Sequence, residues 1–596
     1  MALIGRRLAL TAQAVPGRRS RLSLPRLAGK TPALHLAVAS VLALFVGAPL
    51  VVLILTSLRP GAALPFEDVG LTPSNYLTVF ADPSTYRLLG ATLVYAIGST
   101  GLAVAIAGVM AFLVERTNMP LRNGIYSAML ASMALPPLVI TFGWVLLLDQ
   151  RIGLFNVWLR NLLGSRAQEG PLDIYSLWGM VFVTGLAIAP TFFLMLAGLL
   201  RRMDGALEEA GRTAGASALG AIRRVTLPLL TPGLGSVVVY GMLILIQAFE
   251  VPLALGVTAG FPVLSLRIYI LTQPDMTVPR YGLAATFGML ALVIGILLML
   301  GYYRIVRVAT RFQVITGKGY RPRRFSLGRA TYPALAGALA YLLLAIGLPL
   351  LILFWATLMP GDYQPPSLDV LPSLGLSSYA RLFAYPKFLE AVVNTVIVVV
   401  LTSTTTVLLA TLVAWLSVRS RTAFGKVLDV TAFSTAAIPG IVSTLAVMMI
   451  FVATPIYGTI WILVVGMLIG GLGFVTRLMS AAVTQISHEL EEAARVSGAR
   501  SLMVFRRVIF PLLLPALVNS WLWVASHHMR NFTVALMLAS TRNVVIASLL
   551  WELWSRGSRG TQISTAAALA ILMVAALLAV ATVLRGYTER VEGRLA

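Results

Sequence analysis

The chain contains Glu208-Glu209-Ala210-Gly211-Arg212-Thr213-Ala214-Gly215-Ala216 and, 283 residues later, Glu491-Glu492-Ala493-Ala494-Arg495-Val496-Ser497-Gly498-Ala499. Both copies continue at equal spacing into Arg-Arg-Val and Pro-Leu-Leu-x-Pro, so that 14 of 25 aligned positions are identical. The whole chain is 58% hydrophobic and only 11% charged. Because charged side chains are costly inside a bilayer, the repeat predicts a duplicated loop outside the membrane core.

The composition indicates a helical protein that crosses the membrane many times. The mean hydropathy is +0.88, and apolar runs of about 20 residues, enough for a helix to span the hydrocarbon core, recur along the chain. They predict twelve spans, at 33–57, 89–113, 124–148, 174–200, 233–257, 283–303, 332–358, 389–416, 427–453, 459–479, 516–539 and 561–584.

The net charge of +24 would also suit a nucleic-acid-binding protein. Most of the 46 Lys and Arg residues fall in loops on one side of the predicted spans, however, which is the positive-inside pattern of membrane proteins. We therefore expect no nucleic acid partner, and we expect both termini in the cytoplasm. Cysteine is absent and the four histidines lack metal-ligand spacing, so we expect no metal site and no catalytic residues.

The two halves of the chain match beyond the charged loop. Pro49 pairs with Pro349 and Pro136 with Pro439. Six predicted spans separate equivalent points, so the halves face the same way, as parallel repeats. We predict an all-α polytopic membrane fold of about twelve transmembrane helices in two six-helix repeats. The predicted parts are a basic cytoplasmic tail, a first transmembrane domain, a basic cytoplasmic linker, a second transmembrane domain and a cytoplasmic C-terminal tail, at 1–32, 33–303, 304–331, 332–584 and 585–596.

The charged repeat itself predicts a small helical docking surface. Glu-Glu-Ala followed by Gly or Ala and Arg favours a short helix, and Gly215 or Gly498 follows as a residue able to adopt positive φ. The alternative is a helix resting on lipid headgroups, which would favour Lys and Arg over paired glutamates. We therefore expect a helix-turn-helix that contacts a protein.

These residues resemble the EAA loop of inner-membrane permeases from binding-protein-dependent ABC importers. Glu209-Ala210-Gly211 precedes Gly215, and Glu492-Ala493-Ala494 precedes Gly498, with Gly211 as a departure from the motif. In that family the loop forms a coupling helix that sits in a groove of the ATPase subunit. The resemblance thus implies ATPase-coupling roles for Glu208, Glu209, Ala210, Gly215, Glu491, Glu492, Ala493 and Gly498.

Two such domains in one chain are similar to the ferric-iron uptake permeases. The resemblance implies a bacterial inner-membrane importer subunit that passes a small solute by alternating access, with ferric iron as the first expectation and thiamine, aminoethylphosphonate or a polyamine as alternatives. The only Gly-Lys pair, Gly317-Lys318, lacks the pattern of a phosphate-binding loop. We therefore expect a non-enzymatic chain without its own cofactor, two copies of a separate ATPase that uses ATP, and an extracytoplasmic substrate-binding protein.

Few polar side chains fall inside the predicted spans. Gln247 and Glu250 lie towards the outer third of the fifth predicted span, and Arg530, next to Asn531, lies in the equivalent register of the eleventh. They either line the transport pathway or form an interface between the halves, with Glu250 and Arg530 as an ion pair. The adjacent His527 and His528 cannot face the same side of a helix, which argues against a metal site there.

A different class of transporter also has twelve spans in two parallel halves, namely the secondary transporters of the major-facilitator type. Their loop between the second and third spans is rich in glycine and carries Asp and Arg. The corresponding loop here, residues 115–123, reads Glu-Arg-Thr-Asn-Met-Pro-Leu-Arg-Asn. The sequence therefore favours the ABC permease.

Overall fold

The computed structural model describes most of the chain. The described residues are 33–61, 67, 69–164, 167–202, 213, 220, 222–273, 279–309, 324–419, 423–435, 438–499, 501–556 and 562–595. The predicted N-terminal tail, the middle of the linker and nearly all of the first charged loop lie outside these ranges. Four predicted site residues also lie outside the described ranges, namely Glu208, Glu209, Ala210 and Gly215.

The described part of the first half consists of helices joined by loops. In chain order its helices are α1 (His35–Ser57), α2 (Ser74–Ala81), α3 (Pro83–Arg116), α4 (Arg122–Ser132), α5 (Pro137–Leu148), α6 (Leu154–Leu162), α7 (Leu177–Arg202), α8 (Leu227–Ile246), α9 (Pro252–Ala259), α10 (Leu264–Ile270) and α11 (Tyr281–Ala309).

The second half repeats this order. Its helices are α12 (Gly328–Thr357), α13 (Ser377–Phe383), α14 (Phe388–Arg419), α15 (Ala423–Ser434), α16 (Gly440–Phe451), α17 (Ile460–Thr484), α18 (His488–Val496), α19 (Phe510–Met529), α20 (Phe532–Met537), α21 (Ile546–Ser555) and α22 (Gln562–Leu595). Between Pro136 and Glu208 the first half is 20 residues longer than the second half between Pro439 and Glu491, and α6 lies in this longer segment. Helix α18 contains the second copy of the charged loop, whose first copy lies almost entirely outside the described residues.

The predicted fold class is confirmed. Within the described residues, ten helices are long and apolar enough to cross a membrane, and the number rises to twelve if each bent helix pair is one span. Outside the helices, the described chain shows a single isolated bridge, between Thr117 and Phe325. The helices therefore form the repeated bundle, with two similar halves, that the sequence predicts.

Four of the predicted spans are wrong in one respect, because none of them is a single continuous helix. The run 124–148 is a bent pair, α4 and α5, with axes at 101° to each other. The run 427–453 is likewise divided into α15 and α16. Runs 233–257 and 516–539 stop being helical at Ile246 and Met529 and resume in α9 and α20. Hydropathy records composition and not direction, so it cannot place these breaks.

An equivalent hydrogen bond between two hydroxyl groups is found at the end of the first helix in each half. At the end of α1 the Ser57 hydroxyl lies 2.8 Å from the Tyr76 hydroxyl. At the end of α12 the Tyr379 hydroxyl donates to Thr357 Oγ1 at 3.3 Å. The two pairs occupy equivalent positions of the repeat, which supports the parallel arrangement of the halves.

The first helix of each half packs against helices of the other half. Helix α1 packs against α14, α15 and α16, and α12 packs against α4, α5 and α7. The approach of α12 to α5 is so close that a Cβ on Gly143 would lie 2.5 Å from the Pro349 carbonyl oxygen. The Tyr341 hydroxyl, also on α12, donates to the Leu186 carbonyl of α7 at 3.0 Å. The halves are therefore interleaved and not simply adjacent.

Four prolines in the membrane helices are each preceded by a turn of π-helix. A turn of π-helix ends two residues before each of Pro49, Pro228, Pro349 and Pro511. Proline lacks an N–H group, and its ring collides with the carbonyl four residues earlier in a regular α-helix. The wider π turn moves that carbonyl away. The repeated Pro-Leu-Leu-x-Pro element thus continues a membrane helix after a local π turn.

Candidate functional site

The second charged loop folds as a short helix with a defined end. Helix α18 carries Glu489 and Glu491 in its first turn, where carboxylates suit the positive end of the helix dipole. It ends at Gly498, whose φ of 86° lies in the left-handed region. The amide of Ala499 donates to the Ala494 carbonyl at 3.0 Å, the hydrogen bond of a Schellman turn. This is the positive φ that the sequence predicts.

The two adjacent glutamates of α18 face opposite ways. The side chain of Glu491 is fully buried and forms an ion pair with Arg419 at 2.5 Å. The side chain of Glu492 is 62% exposed and lies 3.2 Å from His488 Nδ1, one turn earlier. Only Glu492 of the two is available to a protein outside this chain.

The exposed face of α18 is partly apolar. Val496 is 89% exposed and Leu490 is 47% exposed, and Ala493 between them is also exposed. An apolar face next to an exposed carboxylate is the character of a surface that contacts another protein.

The structure adds Arg419 to the predicted set. It is the last residue of α14, and the equivalent residue at the end of α3 is Arg116, which is fully buried. The repeat register therefore contained a signal, namely an arginine at the same position of both halves at the end of an apolar helix. Sequence reasoning that starts from the charged repeat misses this arginine.

The predicted polar residues within the membrane lie where α8 and α19 end. Gln247 follows the last residue of α8, and Arg530 follows the last residue of α19, at the equivalent position. Gln247 Oε1 accepts from the amide of Gly440 at 3.0 Å. Arg530 Nη1 donates to the Met133 carbonyl. Each of these residues thus contacts the broken third span of the opposite half.

Glu250 and Arg530 interact, but not as a direct ion pair. Each lies in the electrostatic field of the other, yet no nitrogen–oxygen distance between their side chains is within 4.0 Å. Glu250 Oε2 instead accepts from the amide of Leu138 at 3.3 Å, at the start of α5. Asn531 accepts from the amide of Val534 at 3.1 Å and so caps α20. The carboxylate and the guanidinium are each held by backbone groups of the broken third span.

The neighbouring histidines His527 and His528 pack at an angle to each other near the end of α19. The rings of His527 and His528 are 6.0 Å apart and inclined at 55°, and His527 stacks on Trp523. In the part of the chain that the structure describes, no group of three or more His, Asp or Glu side chains could hold a metal ion.

Comparison with known proteins gives a consistent result over most of the chain. The family model described as "Binding-protein-dependent transport system inner membrane component" matches residues 99–311 and again residues 373–595, together well over half of the chain. Both matches include one copy of the charged loop.

Two curated relatives cover most of the chain at modest identity. The ferric transport system permease protein FbpB of Actinobacillus pleuropneumoniae is 24% identical over 85% of this chain and 74% of its own length. The Fe(3+)-transport system permease protein FbpB 2 of Haemophilus influenzae is 23% identical over 81% of this chain and 87% of its own length. A chain in the crystal structure of a bacterial ABC transporter that imports alginate covers 44% of this chain and 96% of its own length, with a TM-score of 0.35 and 19% identity.

Proposed function

Because this chain belongs to the binding-protein-dependent transport system inner membrane components, as an ABC importer permease with two fused domains, we propose that it imports ferric iron using ATP hydrolysed by separate subunits. It is a multi-pass inner-membrane protein and a transport subunit. In the proposed cycle, ATPase subunits bind one face, a cargo-binding protein delivers iron to the other, and the two halves alternate between inward and outward access.

Helix α18 is the single observation that carries the coupling role. It combines a buried anchor, Glu491, with an exposed docking face that contains Glu492 and Val496. A helix this short and this exposed has little stability of its own, so a partner that covers it would stabilise it. Since the sequence contains two copies of the loop, we propose that two ATPase copies bind, with Glu209 and Glu492 as equivalent contacts.

The orientation follows from the same assignment. If α18 meets a cytoplasmic ATPase, then the N-terminus, the linker and the C-terminus also face the cytoplasm, in agreement with the distribution of Lys and Arg. The loops that contain α2, α6 and α13 then face the binding protein.

The contacts of Gln247, Glu250 and Arg530 support a gate between the halves. All three bond backbone groups at the breaks of the third spans, two of them across the interface between halves. Separating the halves requires the two hydrogen bonds that cross the interface, those of Gln247 and Arg530, to break, and other polar partners must then replace them. We propose that this exchange accompanies the change from closed to open.

The names of the two relatives, both ferric transport permeases, support iron as the cargo. A permease that receives its cargo from a binding protein requires only weak interactions along its passage.

The cargo can be tested with the complex in lipid nanodiscs. We would measure ATP hydrolysis after adding the cognate binding protein either empty, loaded with ferric iron, or loaded with thiamine, aminoethylphosphonate or a polyamine. The proposal predicts stimulation by the iron-loaded protein above the empty one. Stimulation by another loaded form, with none by iron, would replace iron with that cargo while keeping the coupling role of α18.

A further inference from the structure

The guanidinium of Arg419 joins three helices at one point. Its Nε donates to Glu491 Oε1 of α18 at 2.5 Å. Its Nη2 donates to the carbonyl of Ile486 at 2.7 Å and to that of Val483 at 3.3 Å. These carbonyls belong to the last turn of α17 and the residues just after it, where helical partners are missing. One side chain of α14 therefore holds both the end of α17 and the helix α18.

This junction is shielded from water and from other proteins. The Glu491 side chain is fully buried and the Arg419 side chain is 13% exposed. Hydrogen bonds between ionised groups are strengthened where the local dielectric is low. Removing either partner would leave the other as a buried charge, which is far more costly than breaking an exposed pair. The junction is thus a rigid connection, and Glu491 is too buried to contact an ATPase directly.

The helix that Arg419 ends leads from α18 towards the contacts between the halves. Helix α14 packs along α17 and α19, and Trp521 Nε1 of α19 donates to Thr404 Oγ1 of α14 at 3.0 Å. Arg530 follows the last residue of α19 and donates to the Met133 carbonyl in the other half. A displacement of α18 therefore has a continuous packed route to the break between α4 and α5.

We propose that Glu491 is a positioning residue which, through Arg419, transmits movement of α18 to the membrane helices, whereas Glu492 serves for docking. This inference rests on the proposed coupling role of α18. The two neighbouring glutamates thus have separate functions. Glu492 holds the ATPase, so its loss should release the ATPase. Glu491 connects the docking helix to the gate, so its loss should uncouple a bound ATPase from transport.

The test measures three quantities on each variant in proteoliposomes: ATPase retained, ATP hydrolysed and cargo taken up per ATP. Variants E491Q and R419K remove the carboxylate or the forked guanidinium, and R419K keeps the positive charge in case E491Q fails to fold. For both variants we expect the ATPase to remain bound and active while uptake per ATP falls about tenfold. A change of this size lies within the range that typical coupling free energies produce.

Two further variants serve as controls. R477Q breaks the ion pair of 3.2 Å with Asp429, which joins α15 and α17 and is partly exposed, and it should leave uptake per ATP unchanged. E492K should release the ATPase. Normal uptake per ATP in both R419K and a folded E491Q would overturn the inference. If E492K keeps the ATPase bound, the docking role of α18 fails whatever the result for R419K and E491Q, and this is a separate outcome.

Discussion

Gln247 and Arg530 occupy the same position of the two repeats, and each forms a hydrogen bond with the broken third span of the opposite half. Gln247 accepts from the amide of Gly440 at 3.0 Å, at the start of α16. Arg530 donates to the Met133 carbonyl, just after the end of α4. The contacts lie at opposite ends of the two equivalent breaks and are opposite in sign, since Gln247 supplies an acceptor and Arg530 a donor. The two halves are thus joined by a crossed pair of hydrogen bonds.

Substitution of Gln247 should weaken the closed arrangement. In Gln247→Leu the half-buried amide of Gly440 loses its acceptor, which costs about 1 kcal/mol. Gln247→Glu keeps a side-chain oxygen at the same place and is the matched control. We expect the melting temperature of the detergent-purified chain to be lower for the leucine variant than for the glutamate variant. Equal melting temperatures would show that this hydrogen bond contributes nothing.

The charge of Glu250 should matter less than its ability to accept a hydrogen bond. Because its carboxylate bonds the Leu138 amide and is not in direct contact with Arg530, Glu250→Gln should retain most uptake, whereas Glu250→Leu should lose it. For the same reason, exchanging the two residues as Glu250→Arg with Arg530→Glu should recover little. The coupling energy from this double-mutant cycle should stay below about 1 kcal/mol. A full recovery by the exchange would instead indicate a direct ion pair in another state of the transporter.

The docking face of α18 should depend on its exposed residues and on its terminal turn. Val496→Asp replaces an exposed apolar side chain with a charge and should prevent ATPase binding without unfolding the membrane helices. Gly498→Val forces a β-branched residue into positive φ, at a cost of roughly 1–2 kcal/mol, and should reduce binding by distorting the turn. Gly498→Asn, which tolerates this conformation better, is the control. Co-purification of the ATPase from membranes measures all three, and normal binding by Val496→Asp would place the interface elsewhere.

The orientation of the chain can be measured directly because it has no cysteine. Ser326 precedes α12 and Ser373 follows it, so the two residues lie at opposite ends of one membrane helix, and both are exposed. We expect an impermeant thiol reagent to label Ser373→Cys in intact spheroplasts and to label Ser326→Cys only after permeabilisation. The reverse pattern would invert the proposed topology and with it the location of α18.

The sequence was a good guide wherever composition or repetition decides the structure. The apolar runs predict the membrane class, and the copies around Glu208 and Glu491 predict the two halves. The prolines at 136 and 439 also predict kinks. The angle of 101° between α4 and α5 was beyond reach, because it depends on what packs around the break and not on the local sequence.

Contacts distant in sequence explain the other differences. The exchange of α1 and α12 between halves is set by packing that no local pattern reveals. The burial of Glu491 and the exposure of Glu492 likewise depend on Arg419, which lies 72 residues before its partner. The paired glutamates predicted a docking helix, but they could not show which of the two faces outwards.

The most direct test of the account is cargo uptake by purified components. The chain would be reconstituted into proteoliposomes with its ATPase subunits, and radiolabelled ferric iron would be supplied on the cognate binding protein. We predict iron accumulation that requires ATP, the ATPase and the binding protein together, and that is unaffected when the proton gradient is collapsed. Uptake that proceeds without ATP and the ATPase, and that instead follows an imposed ion gradient, would contradict the assignment and favour a secondary transporter.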